Sequence, residues 1–321
     1  MTLALLFSPQ GSQAVGMGRE LAEWSHAARE TFEEADAALG WSVSRTCWEG
    51  PAHRLDDTRQ TQPCLLTTSV AAHRALGERV ELQPAVVAGH SVGEYAALVA
   101  AGVLELAAAL RLVSRRAQLM AGADANGGMA AVLGLDRATV EGVVERVGRP
   151  TELVVANDNS PGQIVISGRI AALEAAEAPL RAAGARRVVR LPVSGAFHSP
   201  LMAGVAEQLA DAFAGEAWAD PRVPIISNVT AEPLTDARLI RALLAEQVRS
   251  PVEWVRCVRR MAADGIDIAV ECGPGSALTG MVRRIAPGIR TANAGDVPGV
   301  KASAGLVSGA VPTPAPAAVG P

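Results

Sequence analysis

The chain has 321 residues, of which 49% are hydrophobic and only 3% aromatic, so its core is expected to be built from Ala, Val and Leu. Its net charge of −4 provides no basic surface for nucleic acid or anionic lipid, which excludes nucleic-acid binding. Glu105 and Arg111 interrupt the longest apolar stretch, residues 96–113, so no segment is predicted to span a membrane. The apolar run at residues 3–7 is too short for a signal peptide and has no basic residue before it, which predicts a cytoplasmic protein.

The four cysteines are widely spaced and form no Cys-x-x-Cys pattern. Such spacing is typical of neither a metal site nor a disulfide framework. We therefore predict reduced, mostly buried cysteines and expect no metal. The cysteines are Cys47, Cys64, Cys257 and Cys272.

The first part of the chain combines one apolar strand with several helices. Residues 2–7 predict a buried strand that ends in a loop of turn-forming and amide residues at 8–13. Residues 19–39 have helical spacing, residues 41–62 indicate short helices and loops, and residues 63–76 predict a further helix.

A Gly-x-Ser-x-Gly turn follows within residues 85–95, between an apolar strand and a helix that begins at about Val92. Such a turn projects the Ser91 hydroxyl out of the fold, and Gly89 and Gly93 are needed because a Cβ would clash there. The helix also brings unpaired N–H groups to Ser91, where negative charge would develop on an acyl oxygen. The pattern predicts a nucleophile, and a glycine-rich turn with an incidental serine is the alternative.

The helix after this turn is predicted to continue to about Met120, with an interruption around Gly102. Consecutive helical residues point about 100° apart, so Arg115 and Arg116 cannot share a face. One of the two is predicted to point inward, and a pair of solvated surface arginines is the alternative.

A second, smaller domain is predicted at residues 126–192. Strands are expected at residues 129–135, 153–156, 164–167 and 187–191, and helices at residues 137–147 and 170–183. This order of strand, helix, strand, strand, helix and strand is that of a ferredoxin-like domain inserted into a larger one. Residues 157–162 are predicted to form its hairpin turn.

The larger domain is assigned residues 1–125 and 193–293. Its second part is predicted to contain strands at residues 223–228 and 266–270 and helices at residues 235–248, 252–264 and 276–285. Strands that alternate with helices predict an α/β fold with a parallel sheet, here α/β-hydrolase-like. Residues 294–321 consist mainly of small residues and Pro, and we expect a flexible tail there.

An activated serine needs a base, and histidine is the commonest because its pKa lies near working pH. His198 lies in a loop of small residues downstream of Ser91, which is where α/β folds usually supply the base. His90 adjoins Ser91 and is expected to brace the turn. The other histidines lie in helices or a polar loop and are expected to be structural: His26, His53 and His73.

A third, acidic member of the site is not evident. Asp158 is the one acidic residue in a suitable loop between Ser91 and His198. We therefore expect a dyad, in which an amide or a main-chain carbonyl fixes the imidazole tautomer.

Six motifs, in this order, resemble the malonyl-CoA:acyl-carrier-protein transacylases of fatty-acid synthesis and the acyltransferase domains of polyketide synthases. The resemblance covers nearly the whole chain. The motifs are Pro9-Gln10-Gly11-Ser12-Gln13, Thr61-Gln62-Pro63, Gly89-His90-Ser91-Val92-Gly93-Glu94-Tyr95, Asn159-Ser160-Pro161-Gly162-Gln163, Gly195-Ala196-Phe197-His198-Ser199 and Gly273-Pro274-Gly275.

The resemblance implies Ser91 as the acylated nucleophile, His198 as its base and Arg116 as the arginine that binds the free carboxylate of malonate. An arginine suits this role because its planar fork can hold a carboxylate through two parallel hydrogen bonds. It further implies that Gln247 orients His198 through its main-chain oxygen. Phe197, beside His198, is expected to limit the space around the malonyl α-carbon.

The same resemblance implies that the N–H groups of Gln10 and Val92 form an oxyanion hole. The family usually shows Pro-Gly-Gln-Gly at the end of the first strand, whereas here Ser8 and Pro9 precede Gln10. Proline restricts φ, so this departure is expected to change the direction of the Gln10 N–H slightly.

The activity implied is a ping-pong transfer of a malonyl group from malonyl-CoA to the phosphopantetheine thiol of acyl carrier protein. No metal or cofactor is implied, and a monomer is expected. A serine esterase or thioesterase with the same turn is one alternative. A catalytically silent scaffold that binds acyl carrier protein is the other.

Overall fold

The computed structural model describes residues 1–123, 126–193 and 195–309, and these residues form two β-sheets surrounded by helices. The strands, in chain order, are β1 (Leu3–Phe7), β2 (Pro84–Gly89), β3 (Gly127–Leu133), β4 (Leu153–Ser160), β5 (Gln163–Arg169), β6 (Arg187–Arg190), β7 (Ile225–Ile226), β8 (Pro233–Leu234), β9 (Ile268–Cys272) and β10 (Arg290–Asn293). The helices are α1 (Arg19–Trp24), α2 (His26–Leu39), α3 (Val43–Glu49), α4 (Ala52–Leu55), α5 (Thr58–Gly77), α6 (Gly93–Ala100), α7 (Leu106–Ala121), α8 (Arg137–Val147), α9 (Ile170–Ala182), α10 (Ala203–Ala214), α11 (Ala237–Gln247), α12 (Trp254–Ala263), α13 (Ala277–Ile285) and α14 (Val297–Val307), with a short 3-10 helix at Pro200–Met202.

The larger sheet has the strand order β10-β9-β1-β2-β7-β8, and its strands are parallel except for β8. The side chains of Leu3, Leu5 and Phe7 join one hydrophobic core, while Ala4 and Leu6 join a second core. Because both faces of the sheet are covered, a continuous apolar run marks β1 rather than an alternating pattern. The predicted parallel α/β sheet is confirmed.

The central strands of this sheet end together. Phe7 pairs with Gly89 on one side and with Cys272 on the other. The connections that follow β1, β2 and β9 therefore leave the same edge of the sheet, which is where parallel α/β folds usually bind ligands.

The smaller sheet has the strand order β4-β5-β3-β6, and all its neighbours are antiparallel. Helices α8 and α9 cover it through a core that includes Val132, Val140, Ile166 and Leu173. The predicted order of strands and helices between residues 127 and 190 is present.

The predicted hairpin turn at residues 157–162 is wrong in its extent. Strand β4 continues to Ser160, so the turn consists of Pro161 and Gly162. The polar segment is held extended because the Asp158 N–H donates to the Val252 carbonyl oxygen at 3.0 Å and the Val252 N–H donates to the Ala156 carbonyl oxygen at 2.8 Å. Pairing with the larger domain thus overrides the local preference of Asn and Asp for turns.

The expectation of a flexible tail at residues 294–321 is also wrong for its first half, because α14 occupies Val297–Val307. The Asp296 side chain caps this helix by accepting from the Gly299 N–H at 2.7 Å, and Val297 and Val300 are buried. The small-residue composition of this segment did not indicate the short helix that it forms. Residues 310–321 lie outside the described part of the chain.

The helix predicted at residues 63–76 begins earlier, at Thr58. Asp57 caps it by accepting from the Arg59 N–H at 2.9 Å, and the helix continues through Pro63. Thr61 and Gln62 are fully buried in its first turns. Over the described residues, no helix combines the length and apolar character needed to cross a bilayer.

Candidate active site

Ser91 lies on the turn between β2 and α6, and its φ of 53° is in the left-handed region. A Cβ on Gly89 would lie 1.9 Å from the Gly93 carbonyl carbon, and a Cβ on Gly93 would lie 2.2 Å from the Phe7 carbonyl oxygen. Strand, turn and helix approach too closely for any other residue at these two positions. The predicted sharp turn with flanking glycines is confirmed.

His198 contacts the hydroxyl of Ser91, with 2.8 Å between His198 Nε2 and Ser91 Oγ. Its Nδ1 atom lies 2.9 Å from the carbonyl oxygen of Gln247 and 3.2 Å from that of Ser250. Carbonyl oxygens only accept hydrogen bonds, so Nδ1 carries the proton and Nε2 can accept the Ser91 proton. Two main-chain carbonyl oxygens thus fix the imidazole tautomer.

The pKa of His198 is lowered to about 3, chiefly because burial disfavours the charged ring and secondly because the Arg116 cation is near. The imidazole is therefore neutral near pH 7. That is the state in which it can act as a base.

Arg116 on α7 points inward, as predicted for one of the two arginines, and is 1% exposed. Its Nη1 donates to Gln62 Oε1 at 2.6 Å, and its Nη2 donates to Gln247 Oε1 and to Ser91 Oγ, both at 3.0 Å. The adjacent Arg115 is exposed and donates to Gln208 Oε1 at 3.3 Å. A buried cation thus touches the hydroxyl of Ser91.

Glu94, which sequence reasoning did not single out, completes this buried network from the first turn of α6. Its Oε2 accepts from Gln247 Nε2, and its Oε1 accepts from the Asn228 N–H at 3.0 Å. Burial raises the pKa of Glu94 to about 7, against the opposing effect of the hydrogen bond from Gln247. Gln62 and Asn228 were likewise missed as site residues, although Gln62 belongs to a matched motif and Asn228 ends a predicted strand.

The main-chain N–H groups of Gln10 and Val92 have no acceptor among the described residues, and Gln10 lines the same cavity as Ser91. The side chain of Gln10 is held by a hydrogen bond from its Nε2 to Thr58 Oγ1 at 3.0 Å. Free N–H groups next to a nucleophile are the arrangement that an oxyanion requires.

A cavity of about 150 Å³ opens in front of Ser91 and His198. Its walls include Gln10 and Phe197 from the larger domain and Met129 from the smaller sheet. Ser91 therefore faces a small, mainly apolar cavity that is lined by residues from both sheet regions.

His90 points toward the smaller sheet and is buried there. Its Nε2 lies 2.8 Å from Asn159 Oδ1, and its ring packs against Trp254 at 5.5 Å between centroids. Burial lowers the pKa of His90.

The remaining histidines lie away from Ser91. His26 lies 3.2 Å from Glu30 on α2, His73 packs on Phe7, and His53 belongs to α4 rather than to the predicted loop. The four cysteines are free and buried, as predicted. In the described ranges no cluster of His, Cys, Asp or Glu is suited to a metal ion.

Residues 4–297 match the acyl transferase domain family. The chain therefore belongs to this family, which confirms the resemblance seen in its motifs. The malonyl CoA-acyl carrier protein transacylase of Salmonella typhimurium is 44% identical over 284 residues, which cover 88% of this chain and 92% of that protein.

Solved structures show the same similarity. The acyl-carrier-protein S-malonyltransferase of Burkholderia pseudomallei has a TM-score of 0.92 at 38% identity, with 95% of this chain and 99% of that chain covered. A malonyl-transacylase in complex with a type II polyketide-synthase acyl carrier protein has a TM-score of 0.92 at 36% identity, with coverage of 95% and 100%. The mixed α/β fold with separate parallel and antiparallel sheets is thus that of solved malonyltransferases.

Proposed function

We propose that this protein is a malonyl-CoA:acyl-carrier-protein transacylase, which moves a malonyl group to the phosphopantetheine thiol of acyl carrier protein through a malonyl-serine intermediate. The observation that carries the proposal is the environment of one atom. Ser91 Oγ lies 2.8 Å from His198 Nε2 and 3.0 Å from Arg116 Nη2. A base and a carboxylate-binding cation thus meet at the nucleophile. Relatives with this activity in their names support the proposal.

The first half-reaction acylates Ser91. Its Oγ attacks the thioester carbon of malonyl-CoA while His198 Nε2 accepts the hydroxyl proton. The new C–O bond gives a tetrahedral oxyanion, which the N–H groups of Gln10 and Val92 stabilise. When the oxyanion collapses, the C–S bond breaks and CoA leaves as a thiol with the proton from His198.

The second half-reaction runs the same steps in reverse with a new thiol. The phosphopantetheine thiol of acyl carrier protein gives its proton to His198 and attacks the serine ester. A C–S bond forms, the ester C–O bond breaks, and the proton returns to Ser91. The complex between a related malonyl-transacylase and an acyl carrier protein supports this partner.

Arg116 binds the free carboxylate of the malonyl group. In malonyl-serine this carboxylate is two carbon–carbon bonds from the ester carbon, so a cation beside Ser91 Oγ suits a short diacid. The oxygens of Gln62 and Gln247 fix the plane of the guanidinium, which prepares it for paired hydrogen bonds. Phe197, 4% exposed and beside His198, restricts the room for a substituent on the α-carbon.

Two other functions use parts of the same site. An esterase or thioesterase needs Ser91 and His198 but gains nothing from a buried arginine at the nucleophile. A silent scaffold needs neither, whereas Ser91 and His198 are hydrogen bonded in a productive orientation. Acyl transfer uses all three residues.

We further propose that the larger domain comprises residues 1–125 and 193–293 and is α/β-hydrolase-like, with α14 packed on it. Residues 126–192 form a ferredoxin-like domain, which the strand order β4-β5-β3-β6 supports. The protein works as a monomer without a cofactor. A reducing, cytoplasmic setting fits its free buried cysteines.

The proposal is tested by incubating the purified protein with malonyl-CoA in the absence of acyl carrier protein. Intact mass spectrometry is expected to show one malonyl adduct per chain, with an equal amount of CoA released. Continuous release of CoA and malonate without a lasting adduct would identify a thioesterase. The absence of both would identify a scaffold, and acetyl-CoA serves as the control donor.

A further inference from the structure

Ser91 and His198 are two of the three non-glycine residues with positive φ in the described ranges. A left-handed conformation is unfavourable for a residue that has a Cβ, so the surrounding structure must impose it. At Ser91 the flanking glycines allow the close approach but do not hold the turn. Two side chains contact the Ser91 main chain: Gln247 Nε2 donates to its carbonyl oxygen at 3.0 Å, and Asn228 accepts from its N–H.

The side-chain amide of Asn228 spans the turn. Its Oδ1 accepts from the Ser91 N–H and its Nδ2 donates to the Gly89 carbonyl oxygen, each at 2.7 Å. One planar amide therefore engages the main chain on both sides of His90. The carboxamide of Asn offers a donor and an acceptor in one plane without any change of protonation, which suits this arrangement.

Asn228 is itself firmly held. It is 0% exposed, its N–H donates to Glu94 Oε1 at 3.0 Å, and its carbonyl oxygen accepts from the Glu253 N–H at 2.9 Å. It follows β7 (Ile225–Ile226), the parallel neighbour of β2, and so reaches the same sheet edge as Ser91. Asn228 thus lies in a turn just beyond the sheet edge, and hydrogen bonds of its own main chain hold it there.

The contact also decides which N–H of the turn faces the substrate. The N–H of Ser91 is occupied by Asn228, whereas that of Val92 has no acceptor in the described structure. The turn consequently offers the Val92 N–H, and not that of the nucleophile, to an oxyanion.

We propose that Asn228 is a positioning residue that, without touching substrate, fixes the backbone of Ser91 and so directs Oγ at His198 Nε2 and the Val92 N–H at the reacting oxygen. The proposal deepens the acyl-transfer function described above and rests on it. A purely structural Asn228 would brace the turn for stability and leave the reaction rate unchanged.

The test uses two substitutions and a matched pair. Asn228→Asp keeps the acceptor and, as a carboxylate, loses the donor to Gly89, whereas Asn228→Leu removes both. Asn293 makes a comparable bridge at another turn, where Nδ2 donates to the Gly273 carbonyl oxygen at 3.2 Å and Oδ1 accepts from the Gly295 N–H at 2.9 Å. Asn293→Asp and Asn293→Leu are therefore the controls.

Three quantities are measured: the acylation rate at saturating malonyl-CoA by rapid quench and intact mass, the melting temperature, and the dissociation constant of malonyl-CoA in a Ser91→Ala background. We expect the Asn228 variants to acylate roughly ten- to hundredfold more slowly, with Leu slower than Asp, and to bind malonyl-CoA unchanged. The Asn293 variants should lose stability but keep the wild-type rate.

Wild-type acylation by Asn228→Leu would overturn the proposal. So would failure of both Asn228 variants to fold, because the fold itself would then need the amide. A fluorophosphonate probe, which labels an activated serine whatever its substrate, separates this question from the proposed function. If the wild type reacts with the probe but not with malonyl-CoA, malonyl transfer fails, while a tenfold slower labelling of the Asn228 variants would still support the positioning role.

Discussion

Two strand-turn-helix connections leave the same edge of the larger sheet, and they differ in what occupies the left-handed backbone. Strand β2 leads through Ser91, with φ 53°, into α6, whereas β9 leads through Gly273 and Gly275, with φ 131° and 75°, into α13. Glycine adopts these conformations at little cost, but a serine needs support from its surroundings. At these two turns, the left-handed position that carries a side chain is the one that holds the nucleophile, and its conformation depends on contacts from other segments.

Each of the two turns also has a buried carboxylate nearby, and the two carboxylates differ in what they contact. Glu271, at the end of β9, accepts from the Leu278 and Thr279 N–H groups at 3.1 and 2.8 Å and so caps α13. Glu94, by contrast, contacts Gln247 and Asn228, both of which touch the main chain of Ser91. One acid completes a helix end, and the other belongs to the site.

The largest expected effect is that of Ser91→Ala, which should abolish the malonyl adduct because the hydroxyl is the point of attachment. Its melting temperature should stay unchanged, since the lost atom leaves no large cavity. Ser276→Ala is the control at the second turn, where the side chain is exposed and makes no capping hydrogen bond. Intact mass spectrometry after malonyl-CoA treatment is the measurement, and an adduct on Ser91→Ala would end the serine assignment.

His198→Ala should slow acylation roughly a hundredfold or more, the usual effect of losing a positioned base. The control is His26→Ala on α2, where the histidine is exposed and paired with Glu30. Rapid-quench kinetics at pH 7 compares the two. An unchanged rate in His198→Ala would reassign this histidine to structure.

Arg116→Ala should reduce or invert the preference for malonyl-CoA over acetyl-CoA, by about 2–3 kcal/mol in the competition for Ser91. The substitution removes the attraction between the arginine and the malonyl carboxylate. It also removes the cost of leaving the arginine unpaired when a neutral acyl group binds, so some activity should survive. Arg115→Ala is the matched control, because that side chain is exposed. If only the Arg115 variant loses the preference, the carboxylate site is misplaced by one residue, and if neither changes, the carboxylate hypothesis fails.

Glu94→Gln should change how stability depends on pH. Burial raises the pKa of Glu94 from 4.5 to about 7, so the native state favours the protonated acid. The stability that this provides is present below pH 4.5 and is lost as the pH rises through 7, by up to about 3 kcal/mol.

The free energy of unfolding of the wild type should therefore fall more steeply than that of Glu94→Gln between about pH 5 and pH 8. Denaturant titrations at several pH values measure this difference. Glu207→Gln, at an exposed position of α10, controls for the loss of one carboxylate. Parallel curves for the wild type and Glu94→Gln would contradict the raised pKa.

The parts of the site that were predictable are those whose signals are local. A strand, a Gly-x-Ser-x-Gly turn and a helix are contiguous in the chain, so Ser91 was identified from its immediate neighbours. The helical angle between Arg115 and Arg116 correctly required different faces. Motif resemblance then supplied the choice of Arg116.

The missed parts depend on contacts between distant segments. Asn228 lies 137 residues from Ser91 in the sequence. No motif around it indicates that its side chain binds the main chain of the Ser91 turn. The polar residues 157–160 were predicted as part of a turn. Their extended conformation depends on hydrogen bonds with Val252, which is distant in the sequence. Helix α14 was missed for a similar reason. Its small apolar residues are buried against other segments, whereas their composition alone predicts a flexible tail.

The most direct test of malonyl transfer is a chase of the isolated adduct. Wild-type protein is loaded with malonyl-CoA, freed of small molecules, and divided between buffer and buffer with the phosphopantetheine-bearing acyl carrier protein. We expect the adduct to persist in buffer and to pass stoichiometrically to the carrier thiol, with unmodified Ser91 regenerated. Release of free malonate at the same rate in both samples, with no malonyl group on the carrier, would contradict the account.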